Sequence, residues 1–362
     1  MKRYFWLALC LSFCASEVFA QQEAVLIQRK EGYQYVNTLI SPYIKRKIFE
    51  GKNILYCSVF QLGWNALKDD LTKGPVELQG NPIANQMLNE GLIGREGLSE
   101  QYYLAMAGYA QDGITEKVLR EMKDKFNESP GIDLSLKRPK DILIYSFLSI
   151  NLSFLDQFES LPPIKFRDAT PVKAFGIKRY AEEIHKELAE NTEVFDYKND
   201  QNFIVRIKAG YGNDEIILAR FTPKKGLLDT VTYILEQVEK KLGTPLQEGD
   251  TLQIPKFDFD IVDRFIEIEG RNLATRGLED YFLDKAVQSV KLVLGGKATV
   301  EEVEEPAFEE LDVGSKKREN GFLKPRKLIF NDRFVLCVKE QSAKYPYLVI
   351  WVDNPELLLK TE

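Results

Sequence analysis

Residues 330–338 read Phe330-Asn331-Asp332-Arg333-Phe334-Val335-Leu336-Cys337-Val338, and residues 345–352 read Tyr345-Pro346-Tyr347-Leu348-Val349-Ile350-Trp351-Val352. Both are short apolar runs rich in β-branched and aromatic residues, and a polar turn, Gln341 to Lys344, joins them. They predict two strands that close the chain. Upstream, residues 295–326 have no apolar period: glutamates crowd the stretch before Gly314, and Lys316-Lys317-Arg318 follows. Such a composition cannot supply a core face, so the stretch predicts a solvated loop. Before it, Ala286 to Leu294 reads as another strand, ending at Gly295-Gly296. A long charged loop between core strands is therefore the organising feature of the last third.

Further upstream the pattern is mixed. Leu252, Ile254, Phe257, Phe259 and Ile261 alternate around Pro255, which predicts one bent or edge strand. Leu227, Leu228, Val231, Ile234, Leu235, Val238 and Leu242 mark an amphipathic helix stopped by Gly243. Phe203 to Lys208 and Glu215 to Phe221 flank Gly210-Tyr211-Gly212-Asn213-Asp214 as a hairpin. Asp141 to Phe154 is almost wholly apolar and uncapped, so it predicts a strand buried on both faces. Thr115 to Phe126 reads as a helix with Glu116 early and Lys123 and Lys125 late, matching the helix dipole. Tyr102 to Ala110 fits a strand or an apolar helix. Asn81-Pro82-Ile83 to Asn89 is a short helix with Asn81 as cap and Gly91 as left-handed stop. Tyr33 to Lys45 and Leu55 to Lys73 carry helical spacing. Helices first, then strands with inserted helices, imply an α+β fold.

The first twenty residues set an address. Lys2 and Arg3 precede an apolar stretch, Tyr4 to Cys14, and Val18-Phe19-Ala20 places small residues where a leader is cut. Residues 1–20 are expected to be a signal peptide cut after Ala20, and 21–362 one domain, secreted or periplasmic. Lipidation at Cys14 is the weaker alternative, because Phe13 is bulky. Without Lys2, Arg3 and Glu17 the chain keeps 47 of its 49 basic and 54 of its 55 acidic residues, a net charge of −7. That sign argues against nucleic acid and anionic lipid as main partners. Cys57 and Cys337 lie in apolar runs and leave both a disulfide and two buried thiols open.

Catalytic patterns are missing. The one histidine, His185, sits among Glu182, Glu183 and Lys186 and reads as a solvated helix residue. No nucleophile elbow, phosphate loop or dinucleotide fingerprint is present. Asp258 and Asp260 are a chance pair in an acidic chain. Asn127-Glu128-Ser129 and Asn151-Leu152-Ser153 match the glycosylation pattern, the second inside a buried strand. No enzyme, catalytic residue, metal or cofactor is expected.

The ordered strings resemble the serpins. Phe330 to Phe334, the paired strands and Asn354-Pro355 look like that family's C-terminal signature, and Asp284-Lys285-Ala286-Val287 to Gly295-Gly296 looks like the approach to its reactive loop. Leu252 to Phe259, Asn53-Ile54-Leu55 opening a buried helix, and Asp141 to Phe158 as a central strand are similar to further family segments. The resemblance implies helices around a large mixed main sheet and smaller sheets, with 295–326 exposed. Departures stand at Asp284 for a histidine, Ser146 and Phe154 for asparagine and tryptophan, Cys57 and Phe60 for two serines, and Arg333 for a proline. About fourteen residues separate Phe126 from Asp141, so the helix normally crossing the front of the main sheet is expected to be missing.

Inhibitory serpins, as the resemblance implies, insert the cleaved loop into the main sheet as a strand, which requires small uncharged residues at alternate hinge positions. The hinge here comprises Gly295, Gly296, Ala298, Thr299, Val300, Glu301 and Glu302, continuing to Glu304, Glu305 and Pro306. Either phase buries two glutamates, and Pro306 lacks a strand N–H. A non-inhibitory binding or structural protein is therefore the favoured reading. The alternative is an inhibitor offering Lys316, Lys317 or Arg318 to a trypsin-like protease. A protease or another protein reached through the loop is the expected partner, and a monomer is the default.

Overall fold

In a computed structural model, residues 35–91, 98–152, 155, 157–167, 169–209, 213–295 and 324–361 are described. The first element among the described residues is strand β1 (Thr38–Ser41), which pairs in parallel with β2 (Asn53–Cys57). Both were expected as helix. All four residues of β1 and all five of β2 are buried, and a run buried on both faces loses the periodicity that separates strand from helix. Helix α1 (Val59–Ala66) follows, and a π-type turn from Leu67 to Thr72 ends it at left-handed Lys73 (φ 54°). Helix α2 (Ile83–Glu90) stops at Gly91 as expected, but Pro82 precedes its first turn and Asn81 makes no capping bond.

Strand β3 (Tyr103–Tyr109), helix α3 (Ile114–Phe126) and β4 (Asp141–Asn151) come next, then β5 (Glu159–Phe166), β6 (Thr170–Ile177) and helix α4 (Glu182–Glu190). The hairpins β7 (Thr192–Asn199), β8 (Asn202–Lys208) and β9 (Asp214–Arg220) lead to helix α5 (Leu227–Lys240) and the two-residue β10 (Thr244–Pro245). Strands β11 (Thr251–Pro255) and β12 (Phe257–Arg264) are separate, and they lie in different sheets. The single bent strand expected there is cut at Pro255 and Lys256, where the missing proline N–H makes a corner cheap. After β13 (Arg271–Asn272) and the long β14 (Phe282–Leu294) come β15 (Lys327–Ile329), β16 (Phe334–Glu340) and β17 (Leu348–Val352).

Among the described residues the strands form three sheets. The largest orders its strands β1-β2-β17-β16-β9-β8-β7-β10, a second β15-β11-β6-β5, and a third β12-β14-β4-β3 with β13 paired to β14. In the third sheet β4 and β14 run parallel and pair directly from Phe282↔Asp141 to Val293↔Asn151. Helix α1 packs beneath it, Phe60 and Trp64 joining Ile142, Ile144 and Leu148 in the main core. A Cβ on Gly63 would stand 2.9 Å from Ile144 Cγ2, so only glycine permits this approach. Helix α5 buries Leu227, Val231, Ile234 and Val238 on the largest sheet in a separate cluster.

No helix lies between Phe126 and Asp141, as expected, yet the front of the third sheet is covered. Ile114, Val118 and Met122 of α3 pack on Leu143, Tyr145, Phe147 and Val287, the face opposite α1. The segment after Phe126 runs without a helix, burying Leu134 in the same cluster with Ile132 and Leu136 packed beside it. The covering helix is α3, 13 residues between β3 and β4.

Candidate functional site: the two anchors of the 295–326 loop

The loop leaves from β14, the thirteen-residue strand held between β12 and β4. Phe257↔Leu294 is the last β12–β14 pair, and a Cβ on Gly295 would meet Lys256 Cδ at 2.9 Å. Gly295 is thus half-buried at a tight corner. The other hinge residues, Gly296, Ala298, Thr299, Val300, Glu301 and Glu302, and the bait candidates Lys316, Lys317 and Arg318, lie outside the described residues, as does Phe154.

The loop returns through Arg326 into β15, which pairs in parallel with β11. Arg326 is the anchor that sequence reading missed. Its backbone N–H donates to Asp250 Oδ1 (2.7 Å), and its Nε and Nη2 donate to Oδ2 (2.9 and 2.6 Å). Nη1 donates to Thr244 Oγ1 (2.8 Å) and Nη2 also to the Pro245 carbonyl (2.6 Å). The two side chains are 7 % and 0 % exposed. A buried ion pair of this kind survives only with its remaining lone pairs and protons satisfied, and here both backbone and side-chain partners do so. Nothing in the sequence marked it beyond an arginine at the edge of an apolar strand. Gly249, at φ +88°, brings the Asp250 turn against Pro325.

The β4–β14 seam runs up to the first of these anchors. Its back face carries Ser146, whose Oγ lies 3.4 Å from the Val287 carbonyl, and Gln288, whose Nε2 donates to the Cys57 carbonyl (3.2 Å). Gln288 Oε1 is buried with no partner among the described residues. The front is pinned by charge. Lys285 Nζ donates to the Asp133 carbonyl (2.7 Å) and Oδ2 (3.3 Å), and Lys291 Nζ to Glu128 Oε1 (2.7 Å). The Asp133 carboxyl is held down at about 2, first by the Ser135 backbone amide and hydroxyl and then by Lys285.

The other singled-out residues take structural places. His185 is buried, not solvated: its Nδ1 accepts the Ala181 N–H at 3.0 Å, which satisfies a first-turn donor, and its Nε2 stands 3.8 Å from Glu159. Thr115 Oγ1 donates to the Leu134 carbonyl at 3.0 Å, and Gly113 holds the cap position of α3. Asp258 and Asp260 face outward from β12, the latter 3.9 Å from Lys291. Cys57 and Cys337 are free thiols on neighbours of β17, opposite Leu348 and Val349, so they point to opposite faces of one sheet. No disulfide can join them there. Among the described residues no three of His, Cys, Asp and Glu gather to hold a metal, and no helix is long and apolar enough to cross a membrane.

A long strand β14 beside a parallel strand β4, a re-entry at Arg326 into the small second sheet, and two closing strands in the largest sheet define a serpin-like α+β fold. No family model matches the chain, and no curated protein matches its sequence. Among solved structures it is similar to a serpin from Schistosoma mansoni, at 14% identity and TM-score 0.37, covering 66% of this chain and 62% of that one. It is also similar to Serpin48, a highly specific serpin of the insect Tenebrio molitor, at 10% identity and TM-score 0.42, covering 83% and 91%. At such scores neither match carries an activity, a partner or a site to this chain.

Proposed function

We propose that this is an exported, non-catalytic protein whose 295–326 loop serves as a surface or partner contact and does not insert into the main sheet. The supporting observation is the double cover of the β4–β14 seam. The core around α1 lies behind it, and α3 with Ile132, Leu134 and Leu136 lies in front. A strand between β4 and β14 would be buried on both faces at these levels. Glu301, Glu302, Glu304 and Glu305 would then all be buried, not two of them. Each unpaired buried carboxylate costs roughly several kcal/mol unless it takes up a proton. Pro306 would also leave a central ladder without a donor.

The competing reading is a protease inhibitor with Lys316, Lys317 or Arg318 as bait for a trypsin-like enzyme; the run of three basic residues in a solvated loop favours it. One experiment separates the two. The purified mature chain is incubated with trypsin-like and subtilisin-like proteases, and denaturant-resistant complexes and melting before and after nicking are measured. Clean nicking with unchanged melting is expected. A covalent complex, or a large rise in melting temperature, sinks the non-inhibitory reading.

A further inference from the structure

His185 is the chain's single histidine, and the fold gives it a place that only the neutral ring satisfies. It is buried in the first half of α4, where its backbone leaves helical geometry (φ −113°, ψ 16°). Its Nδ1 accepts the N–H of Ala181, the residue at the helix cap, at 3.0 Å. A side chain one turn inside the helix thus reaches back to the cap amide, as the glutamate of a capping box does. That role leaves the lone pair on Nδ1 and the neutral ring's proton on Nε2. A second proton would set an Nδ1–H against the Ala181 N–H, two donors facing each other in a buried place.

The charged and titratable groups around the ring are taken here from the described residues. From β5, Glu159 Oε1 stands 3.8 Å from Nε2, with its side chain 59% exposed. The Tyr180 ring lies beside the imidazole, centroids 5.9 Å apart. Burial first, then Glu182 and Glu248, raise the Tyr180 hydroxyl, so it stays protonated wherever an imidazole titrates. Arg179, Glu182, Glu183 and Lys186 are exposed. From the turn before β11, Glu248 Oε2 lies 3.4 Å from the Glu182 N–H, and the Asp250 carboxylate is taken up by Arg326. From β7, Glu193 pairs with Arg206 and Lys208. Glu159 is the one acid that favours a charged ring, and so exposed a pair contributes little. Loss of the cap bond and two opposed buried donors outweigh it.

The backbone that His185 caps is bonded to the turn that holds the loop's return. Next to Ala181, the Tyr180 N–H donates to the Asp250 carbonyl (2.6 Å), and the Gly249 N–H donates to the Tyr180 carbonyl (2.9 Å). Asp250 in turn holds the Arg326 side chain and its N–H, and the Thr251 N–H donates to the Arg326 carbonyl (3.0 Å). The cap bond and the anchor bonds therefore share one stretch of chain. We propose that His185 is a proton-sensitive latch on the loop's return: a proton taken up by its ring in mild acid breaks the Ala181 cap, loosens the start of α4 and, through Tyr180, weakens the Asp250–Arg326 anchor. Histidine is the side chain whose ordinary charge change falls between about pH 5 and 8, which suits it to such a role.

The test is residue-resolved hydrogen exchange of the purified chain, free of any histidine tag, from about pH 8 to about pH 5, corrected for the intrinsic pH dependence of exchange. Nitrogen NMR of the imidazole runs alongside, and a single histidine makes its signals unambiguous. At the alkaline end the ring should be the Nε2–H tautomer. As it charges, protection at residues 181–185, Gly249, Thr251 and Arg326 should fall together by about fivefold or more, the scale of a lost helix cap. His185→Asn puts an amide oxygen where Nδ1 stands and does not titrate, so it should keep the alkaline protection and remove the step. Glu159→Gln should leave the step in place. An Nδ1–H tautomer in the alkaline chain overturns the proposal, as does a step that persists in His185→Asn or one confined to α4 with Arg326 unchanged. Should His185→Asn fail to fold, the wild-type curves decide: the exchange step must follow the ring's own titration, and a step displaced from it, or none, overturns the latch.

Discussion

Replacing Arg326 by methionine tests whether the loop's return is held by a buried charge. The substitution keeps most of the side-chain length but deletes all four side-chain donors that reach Asp250, Thr244 and Pro245. Asp250, fully buried, keeps the N–H of residue 326 and that of Gln247 (2.8 Å). Two amides do not replace a guanidinium. Breaking a buried pair from one side costs about 3–5 kcal/mol, mostly the penalty of the stranded charge. Against a typical total stability of about 5–15 kcal/mol this is a large fraction. Urea unfolding followed by the fluorescence of buried Trp64 and Trp351 gives the loss directly, and limited proteolysis shows whether the β15 end of the loop frays. Adding Asp250→Asn should cost less than the sum of the two single changes, because the stranded charge is gone. A loss under about 1 kcal/mol for Arg326→Met would refute the reasoning.

Gly176→Ala should block folding or cost more than about 3 kcal/mol, since the new Cβ would stand 2.1 Å from the Leu252 carbonyl at φ +145°; soluble yield and melting near wild type would contradict this. Asp133 has a folded-state carboxyl near 2 against an ordinary 3.8. A lowered folded value means its contribution is complete above pH 3.8 and lost as pH falls through about 2. Hydrogen exchange in residues 128–136 should therefore rise over that window in wild type, and Asp133→Asn should flatten the profile. The Cys57 and Cys337 thiols, both pushed up to about 12 by burial, should ignore a thiol reagent in the native chain and both react once it is unfolded; a disulfide-dependent gel shift would contradict the geometry.

The sequence by itself determined much of this protein. The closing strands, the strand from Ala286 into Gly295, the doubly buried Asp141 run and the α5 helix were legible because each writes its environment into a local period or an unbroken apolar run. Tertiary structure alone decided the rest. Whether Thr38–Ser41 and Asn53–Cys57 were strand or helix depended on pairing with each other, not on their own spacing. That α3 covers Leu143 and Tyr145 was not legible, because packing and not local spacing sets its place. Arg326 and Asp250 are 76 residues apart, and Arg167 and Asp353 are 186 apart. A charge that finds its partner at such separations leaves no pattern in the chain, because periodicity records only which face is buried and never what comes to meet it.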